Sequence, residues 1–552
     1  MSADVEVRFL PGRQVTRVAP GSTLLAAARR AGVSLEAPCD GAGICGKCRV
    51  QVHAAHVGAL DPGVKGRRDG DRLSVLACDA RVRAPLEVTV GDCSDRALKI
   101  VDHGMSTPWP LAPFVTILRT GEASVIRGGH ATLAAIPGVG GPANLGLAID
   151  IGTTTLVVAL VDLDSGAELA LASGLNPQAN YGHDVLSRIR YASEPGGLRV
   201  LQCDLIERLN QLIAQVCARA GHRPADIHEA VLGGNTCMLH LAAGVDPSPL
   251  GRAPYQPALR GGHHVQAAEL GLNIAGHGLV YLPPVISGFV GADITAGILA
   301  TDLHRSAGTT LLIDIGTNGE MVLAADGELW ATSTAAGPAF EGVNITCGMR
   351  AAPGAIDAVS VNEDGTWTLH TIGDAPAAGL CGSGLIDLAS RLIDHGVIGK
   401  SGRFQRDGAP PVGTWVEEAG RWSLRLSEDV VLSQNDVRQV QLAKAAIRAG
   451  LEVLLARAEC SEADVDRVLV AGSFGYHLRA DSLRGSGLLP AGLAAKVEAA
   501  GNTCKTGAVT LLTSTPARSE LGEVAARVRA VELSEDSAFA RRFVDHMTFG
   551  GA

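Results

Sequence analysis

The sequence predicts a multidomain protein, with a small α+β module at its N-terminus and an α/β body of two similar lobes behind it. Three observations predict this. The stretch Ala148-Ile149-Asp150-Ile151-Gly152-Thr153-Thr154-Thr155 has a near copy in Leu312-Ile313-Asp314-Ile315-Gly316-Thr317-Asn318-Gly319, and the two aspartates lie 164 positions apart. A third apolar run, Val468-Leu469-Val470-Ala471, ends in Gly472-Ser473-Phe474-Gly475. Four cysteines, Cys39, Cys45, Cys48 and Cys78, gather in the first part of a 552-residue chain, a length that suggests several domains.

Each copy of the repeated stretch is an apolar run ending in Asp, then Gly with hydroxyl or amide residues, then a second apolar run. That pattern reads as strand, tight turn, strand. Glycine in the turn lets the backbone approach a ligand closely. Exposed N–H groups with Thr and Asn side chains can hold phosphate oxygens, and a turn carboxylate can hold a metal ion or a water beside them. A single Asp-x-Gly-Thr can be an ordinary hairpin. Two copies and the third run point to two lobes closing on one nucleotide.

The N-terminal module reads, in order, as a strand at Val5–Leu10, a Pro11-Gly12 turn and a returning strand at Gln14–Val18. A helix over Leu24–Arg30 follows, with Ser22 as its expected N-cap and Gly32 as its stop. The cysteine loop comes next, and Leu86–Val90 closes the module as a strand. The spacing is C-x5-C-x2-C with a distant fourth cysteine, and four thiolates are what a 2Fe–2S cluster requires. Three glycines among Cys39–Cys48 let the loop wrap a cluster and aim N–H groups at its sulfurs, which tunes the potential. Zinc suits the long, Gly-rich first spacing poorly. His53 and His56 read as surface residues, since four cysteines already fill the site, and Cys93 reads as a bystander. Over about 90 residues the module resembles the 2Fe–2S ferredoxin (β-grasp) domain. It has five residues between the first two cysteines, as in the adrenodoxin-like branch, where the plant-type loop has four.

Residues 93–144 are rich in turn signals, including Pro108, Pro110, Pro113 and Pro137–Pro142, and read as a linker with short strands at Lys99–Val101 and Phe114–Leu118. The first lobe is expected over 145–304 and the second over 305–552. In the first, Asp184–Tyr191 and Leu198–Ala220 carry helical spacing, and Ala230–Met238 reads as a buried strand entering a Gly-Asn-Thr turn before a helix. The small-residue run through Ala300 would let two helices cross closely, as a hinge between lobes requires, or simply pack tightly. In the second, Gly379–Asp387 leads into an apolar helix whose start could present N–H groups to phosphate. No base lies beside Cys381 to make it a nucleophile. Val437–Ala456 reads as a long amphipathic helix.

The order of phosphate turn, phosphate turn and strand–Gly–Gly turn resembles the ASKHA superfamily of acetate and sugar kinases, Hsp70 and actin, over about 400 residues. By that resemblance Asp150, Gly152, Thr153 and Thr154 form the first phosphate loop, and Asp314, Gly316, Thr317 and Asn318 the second. Gly472, Ser473 and Gly475 line the adenosine site, ATP is the nucleotide and Mg2+ its companion. A ferredoxin-like module ahead of such a body, with Asp-Ile-Gly-Thr-Asn-Gly-Glu, Leu-Cys-Gly-Ser-Gly-Leu-Ile-Asp and Val-Ala-Gly-Ser-Phe-Gly, resembles the reductive activators of corrinoid proteins. The resemblance implies an ATP-dependent enzyme that returns Co(II) to Co(I) on a corrinoid protein or a cobalamin-dependent methyltransferase, methionine synthase among them. It implies an external low-potential electron donor; the chain has no second compact cysteine group, so a single 2Fe–2S cluster is expected, and a homodimer is one possible assembly that the sequence does not decide. The alternatives are an activator of 2-hydroxyacyl-CoA dehydratase-like radical enzymes, which lacks the ferredoxin module, a metabolite kinase with a fused ferredoxin, and a nucleotide-sensing module without turnover.

Composition narrows the classes. A formal charge of −10 without a basic run argues against nucleic-acid binding. An apolar fraction of 46% is ample for packed cores. The acidic start Met1–Glu6 has no signal-peptide pattern, and no run reaches the ~18 apolar residues of a membrane span. A cytoplasmic location is therefore expected, where twelve cysteines do not form a disulfide framework.

Overall fold

The computed structural model describes residues 4–33, 35, 37, 41, 48–90, 103–120, 122–138, 141–418, 420–472 and 478–550. Strands β1 (Val5–Leu10), β2 (Gln14–Val18), β3 (Arg49–His53), β4 (Gly66–Asp69), β5 (Arg72–Leu76) and β6 (Leu86–Val90) form one sheet in the order β2-β1-β6-β3-β5-β4. The neighbouring strands β1 and β6 run parallel. Across them lies the helix Leu24–Arg30, which buries Leu24, Leu25, Ala27 and Ala28 among Val7, Phe9, Val50 and Val88. The helix is capped by Thr23, whose Oγ1 accepts from the Ala26 N–H at 3.1 Å, and not by Ser22. Ser22 is still in extended pairing, its carbonyl accepting from Val82 N–H, so the helix cannot begin there.

The segment expected as a linker contains an antiparallel sheet of β7 (Val115–Arg119), β8 (Ala123–Gly128) and β9 (Ala131–Pro137). Val115 and Ile126 are fully buried and pack with Ala148 and Val161 of the first lobe, so apolar burial fixes this sheet to the body. The strand expected at Lys99–Val101 lies outside the described residues.

The body is built on two sheets of matching topology. The first contains β10 (Leu145–Ile151), β11 (Thr155–Asp162), β12 (Glu168–Leu175), β13 (Ile227–Gly234), β14 (His263–Gln266) and β15 (Leu279–Leu282), in the order β12-β11-β10-β13-β15-β14. The second contains β16 (Thr310–Ile315), β17 (Gly319–Ala325), β18 (Glu328–Thr334), β25 (Arg467–Ala471), β26 (Val497–Gly501) and β27 (Arg529–Ala530), in the order β26-β25-β16-β17-β18-β27. Between β18 and β25 in the chain lie two small sheets of three strands each, β19–β21 within 355–380 and β22–β24 within 414–433. In each large sheet an antiparallel meander leads, and its first strand pairs in parallel with a later one: β10 with β13, and β16 with β25. Both aspartate turns therefore sit at equivalent corners of equivalent sheets.

The lobes exchange helices. Thr503–Thr513, from the C-terminal part of the chain, buries Ala508, Leu511 and Leu512 on Ala148, Ala159 and Val231 of the first sheet. Ala292–Ala300, from the chain segment of the first lobe, buries Ile294 and Ile298 on Leu312, Val322 and Leu469 of the second sheet. The two helices cross closely because the contact is made by small residues. A Cβ on Gly507 would lie 2.1 Å from the Ala296 carbonyl oxygen. Gly507→Ala is therefore expected to force the helices apart and destabilise the body by about 1–3 kcal/mol, read by chemical denaturation of the full chain. Among the described residues no helix is long and apolar enough to cross a membrane.

Candidate functional site

The two aspartate turns face each other across a cavity of about 100 Å³, lined among others by Asp150, Gly152, Thr153, Thr154, Asp314, Gly316, Thr317, Asn318 and Gly472. Asp150 and Asp314 each stand one residue before the end of a central strand, so the sheets deliver both carboxylates to the cleft. Gly472 follows β25, the parallel neighbour of β16. It has φ +93°, and a Cβ there would lie 2.6 Å from Asp314 Oδ1, so a side chain would strike the second turn. Ser473 and Gly475 lie outside the described residues.

Five acidic groups line this cavity: Asp150, Asp293, Asp314, Glu320 and Glu341. Burial pushes Asp314 up to about 7, and the charges of Asp293 and Asp150 add to the rise. Asp293 is likewise raised to about 7 by burial, with Asp150 contributing. Burial also raises Asp150, against the hydrogen bond that its Oδ2 accepts from Asn502 Nδ2 at 2.8 Å, and raises Glu320 well above its ordinary value. Carboxylates crowded out of water hold protons unless a cation arrives. Among the described residues no three His, Cys, Asp or Glu side chains are preformed as a metal site. Mg2+ does not require three, because it keeps several waters and takes one or two carboxylates plus phosphate oxygens. Asp150 and Asp314 fit that demand.

The same crowding has a stability consequence. The Asp293 pKa is raised in the folded chain from an ordinary 3.8 to about 7. Its contribution is fully present below pH ~4 and is lost as pH rises through ~7. Asp293→Asn removes that loss. Its melting temperature is expected to match the parent's near pH 4 and to exceed it increasingly up to pH ~7, as thermal scans without divalent cations would measure.

Two further residues hold the turns. Glu341, at the end of a short 3-10 turn, accepts from Thr154 Oγ1 of the first lobe and from Thr317 Oγ1 of the second at 3.0 Å. One carboxylate thus ties both turns together. Arg188 is fully buried beneath the first turn and donates to the Thr153 carbonyl, to Gly182 O at 2.8 Å and to Gln178 Oε1 at 3.2 Å. Burial lowers its pKa to about 10, which leaves it charged at neutral pH. Thr153 Oγ1 accepts from Asn235 Nδ2 at 3.2 Å.

In the N-terminal module, Cys48 immediately precedes β3 and Cys78 follows β5. These strands pair with Arg49 opposite Leu76, and Ala77 N–H donates to Cys48 O at 2.7 Å, so the two cysteines share one end of the sheet. A Cβ on Gly41 would lie 3.7 Å from Cys78 Cβ, which places Gly41 against Cys78. Cys48 is buried and Cys78 half-buried, a setting that suits thiolate ligands to a cluster. Cys39 and Cys45 lie outside the described residues.

The Gly382-Ser383-Gly384 helix start does not line the phosphate cavity. A Cβ on Gly384 would lie 2.0 Å from the Ile356 carbonyl oxygen, so its glycine serves close packing of the helix Gly382–Asp394 on a neighbouring strand. Asp293, Glu320 and Glu341 stand beside or near glycines in the sequence, a signal that does not single out their carboxylates. Arg188, Asn235 and Asn502 carry no local signal.

A cleft between twin lobes, with a cysteine-bearing β-grasp module ahead of them in the chain, defines a 2Fe–2S ferredoxin domain joined to an ASKHA body. Comparison with known proteins agrees. A 2Fe-2S iron-sulfur cluster binding domain matches residues 9–83, the RACo middle region 145–306, and the C-terminal domain of RACo, the ASKHA domain, 308–551. The corrinoid activation enzyme RamQ of Eubacterium limosum is 35% identical over 419 residues, covering 73% of this chain and 70% of that one. The [Co(II) methylated amine-specific corrinoid protein] reductase of Methanosarcina barkeri is 25% identical over 420 residues, covering 70% and 73%. A solved reductive activator for corrinoid, iron-sulfur protein superposes with a TM-score of 0.74 at 31% identity, covering 99% of this chain and 98% of that one. The chain belongs to the RACo family of reductive activators of corrinoid proteins.

Proposed function

We propose that the chain uses ATP to drive one electron from a 2Fe–2S cluster onto the Co(II) corrinoid of a partner protein, restoring Co(I). The observation that carries this reading is the meeting of two phosphate-type turns at one cavity, in a chain that also bears the four-cysteine module. The names of its relatives supply the substrate class. Cys39, Cys45, Cys48 and Cys78 would hold the cluster, which supplies one-electron chemistry when bound. Thr153, Thr154, Thr317 and Asn318 would bind the phosphates, and Asp150 and Asp314 would orient Mg2+ through its water shell.

Co(I) is a very strong reductant, so the transfer runs uphill. A ligand shifts a two-state equilibrium only by its differential affinity for the two states. Here that difference would arise at the cleft, where Mg2+ neutralises carboxylates that otherwise repel phosphate and each other. Each turnover moves one electron from an external low-potential donor to cobalt. The partner is a corrinoid protein or a cobalamin-dependent methyltransferase.

An anaerobic panel of Co(II) corrinoid proteins, methionine synthase included, tests the reading. Reconstituted protein, a low-potential donor and Mg-ATP are expected to produce the Co(I) absorption band with at least one of them. ATP consumption with phosphorylation of a small molecule, and no cobalt reduction by any partner, would favour the kinase reading instead.

A further inference from the structure

We propose that His183 is a positioning residue that couples the first phosphate turn to the segment bearing the cluster ligand Cys39. The inference rests on the nucleotide reading above and says how the cleft reaches the N-terminal module. Its basis is a continuous series of contacts. His183 Nε2 donates to the Ala37 carbonyl at 2.8 Å, and Ala37 lies two positions before Cys39 in the sequence. The neighbouring Gly182 carbonyl accepts from Arg188 Nε at 2.8 Å. The same guanidinium donates to the carbonyl of Thr153, in the first phosphate turn. On the other side of His183, Asp184 caps the helix Val185–Ala192 by accepting from Ser187 N–H at 2.7 Å. His183 is thus held between a carbonyl fixed by Arg188 and a helix cap, with little freedom to move independently of either.

The interface around it supports the assignment. Arg29, from the helix of the module, lies near enough to Tyr181 and Tyr191 for its charge to oppose the rise of their pKa values. Tyr181 and Tyr191 pack with ring centroids 4.7 Å apart and planes tilted by 38°, and Tyr181 Oη donates to Asp204 Oδ2 at 2.6 Å. One short segment, 181–192, therefore docks the module and braces the phosphate turn. Arginine's planar fork suits it to grip two carbonyls in fixed geometry. A change at Thr153 on nucleotide binding reaches Gly182 through one rigid, buried group and then passes to Ala37 by a single hydrogen bond.

The test uses the full, reconstituted chain with Mg-AMPPNP as probe, and His183→Ala as the main variant. In the parent protein, nucleotide is expected to change amide hydrogen exchange over residues 31–48, remote from the cleft. His183→Ala is expected to keep the cluster spectrum and to bind nucleotide within about twofold of the parent. It should lose the exchange response, and its ATP stimulation of Co(I) formation should fall at least roughly fivefold. Arg188→Lys, which cannot hold both carbonyls as a fork, is expected to lose the same response; should it unfold, His183→Ala decides alone. A His183→Ala chain that keeps both responses overturns the coupling. So does a parent chain that binds nucleotide without any change over 31–48. Absence of nucleotide binding by the parent would instead overturn the reading of the cleft, and the coupling with it.

Discussion

Asp314→Ala is expected to lower ATP-dependent Co(I) formation by about 10²-fold or more, a loss of the size seen when one preorganised polar group is removed from a reacting centre. The cause is local. Asp314 leads into the second aspartate turn, lies against Gly472 and shares its cavity with Asp150, Asp293, Glu320 and Glu341. On the proposed reading, the cleft would then lack one of the two carboxylates that orient hydrated Mg2+, and the two lobes would no longer present equivalent groups to the phosphates. The N-terminal module is untouched, so its visible spectrum and its reduction by a strong chemical reductant should match the parent's. Nucleotide affinity and Co(I) yield, measured on the same preparation, separate this outcome from unfolding. A variant that kept full ATP stimulation would remove Asp314 from the machinery.

Cys48→Ser is expected to have the opposite pattern and an equally large effect. Serine is nearly isosteric, and Cys48 is 1% exposed at the start of β3, so the backbone contact to Ala77 should persist. Its hydroxyl is a poor replacement for a thiolate toward iron. The chain should lose the 2Fe–2S absorption, and cobalt reduction should drop to background with or without ATP. Mg-nucleotide affinity should stay within about twofold, because the cleft is built from other residues. Cluster ligation also ties the glycine-rich loop to the ends of β3 and β5, so the module should melt at lower temperature. Together the two variants divide the chain into an electron-carrying end and a nucleotide-sensing end.

Much of this arrangement is legible in the sequence, and the reason is locality. The strand–turn–strand runs at Asp150 and Asp314 announce themselves by apolar runs broken by Gly and Thr, and β10–β11 and β16–β17 form there. Residues Leu24–Arg30 declare a helix by composition, although the cap falls on Thr23 because pairing with Val82 holds Ser22 extended. What escapes the sequence is long-range. Glu341 reaches Thr154 across 187 positions, and Asn502 reaches Asp150 across 352. No local pattern encodes either contact. The exchange of helices between lobes is hidden for the same reason: Ala508 and Leu512 look like the interior of any helix, and only the folded chain brings them to the first sheet. Glycine before a helix serves phosphate binding and tight packing equally well, so the sequence at Gly382–Gly384 does not reveal that the Ile356 carbonyl leaves Gly384 no room for a Cβ.

The most direct test is a single anaerobic measurement with the wild-type chain and a responsive Co(II) corrinoid protein. Donor and cluster are held constant, and the Co(I) band is followed before and after Mg-ATP is added. The account requires little Co(I) before addition and a rise to a new plateau after it, in proportion to partner present. Equal Co(I) with and without ATP would contradict it, since the cleft between the two aspartate turns would then have no part in moving the electron.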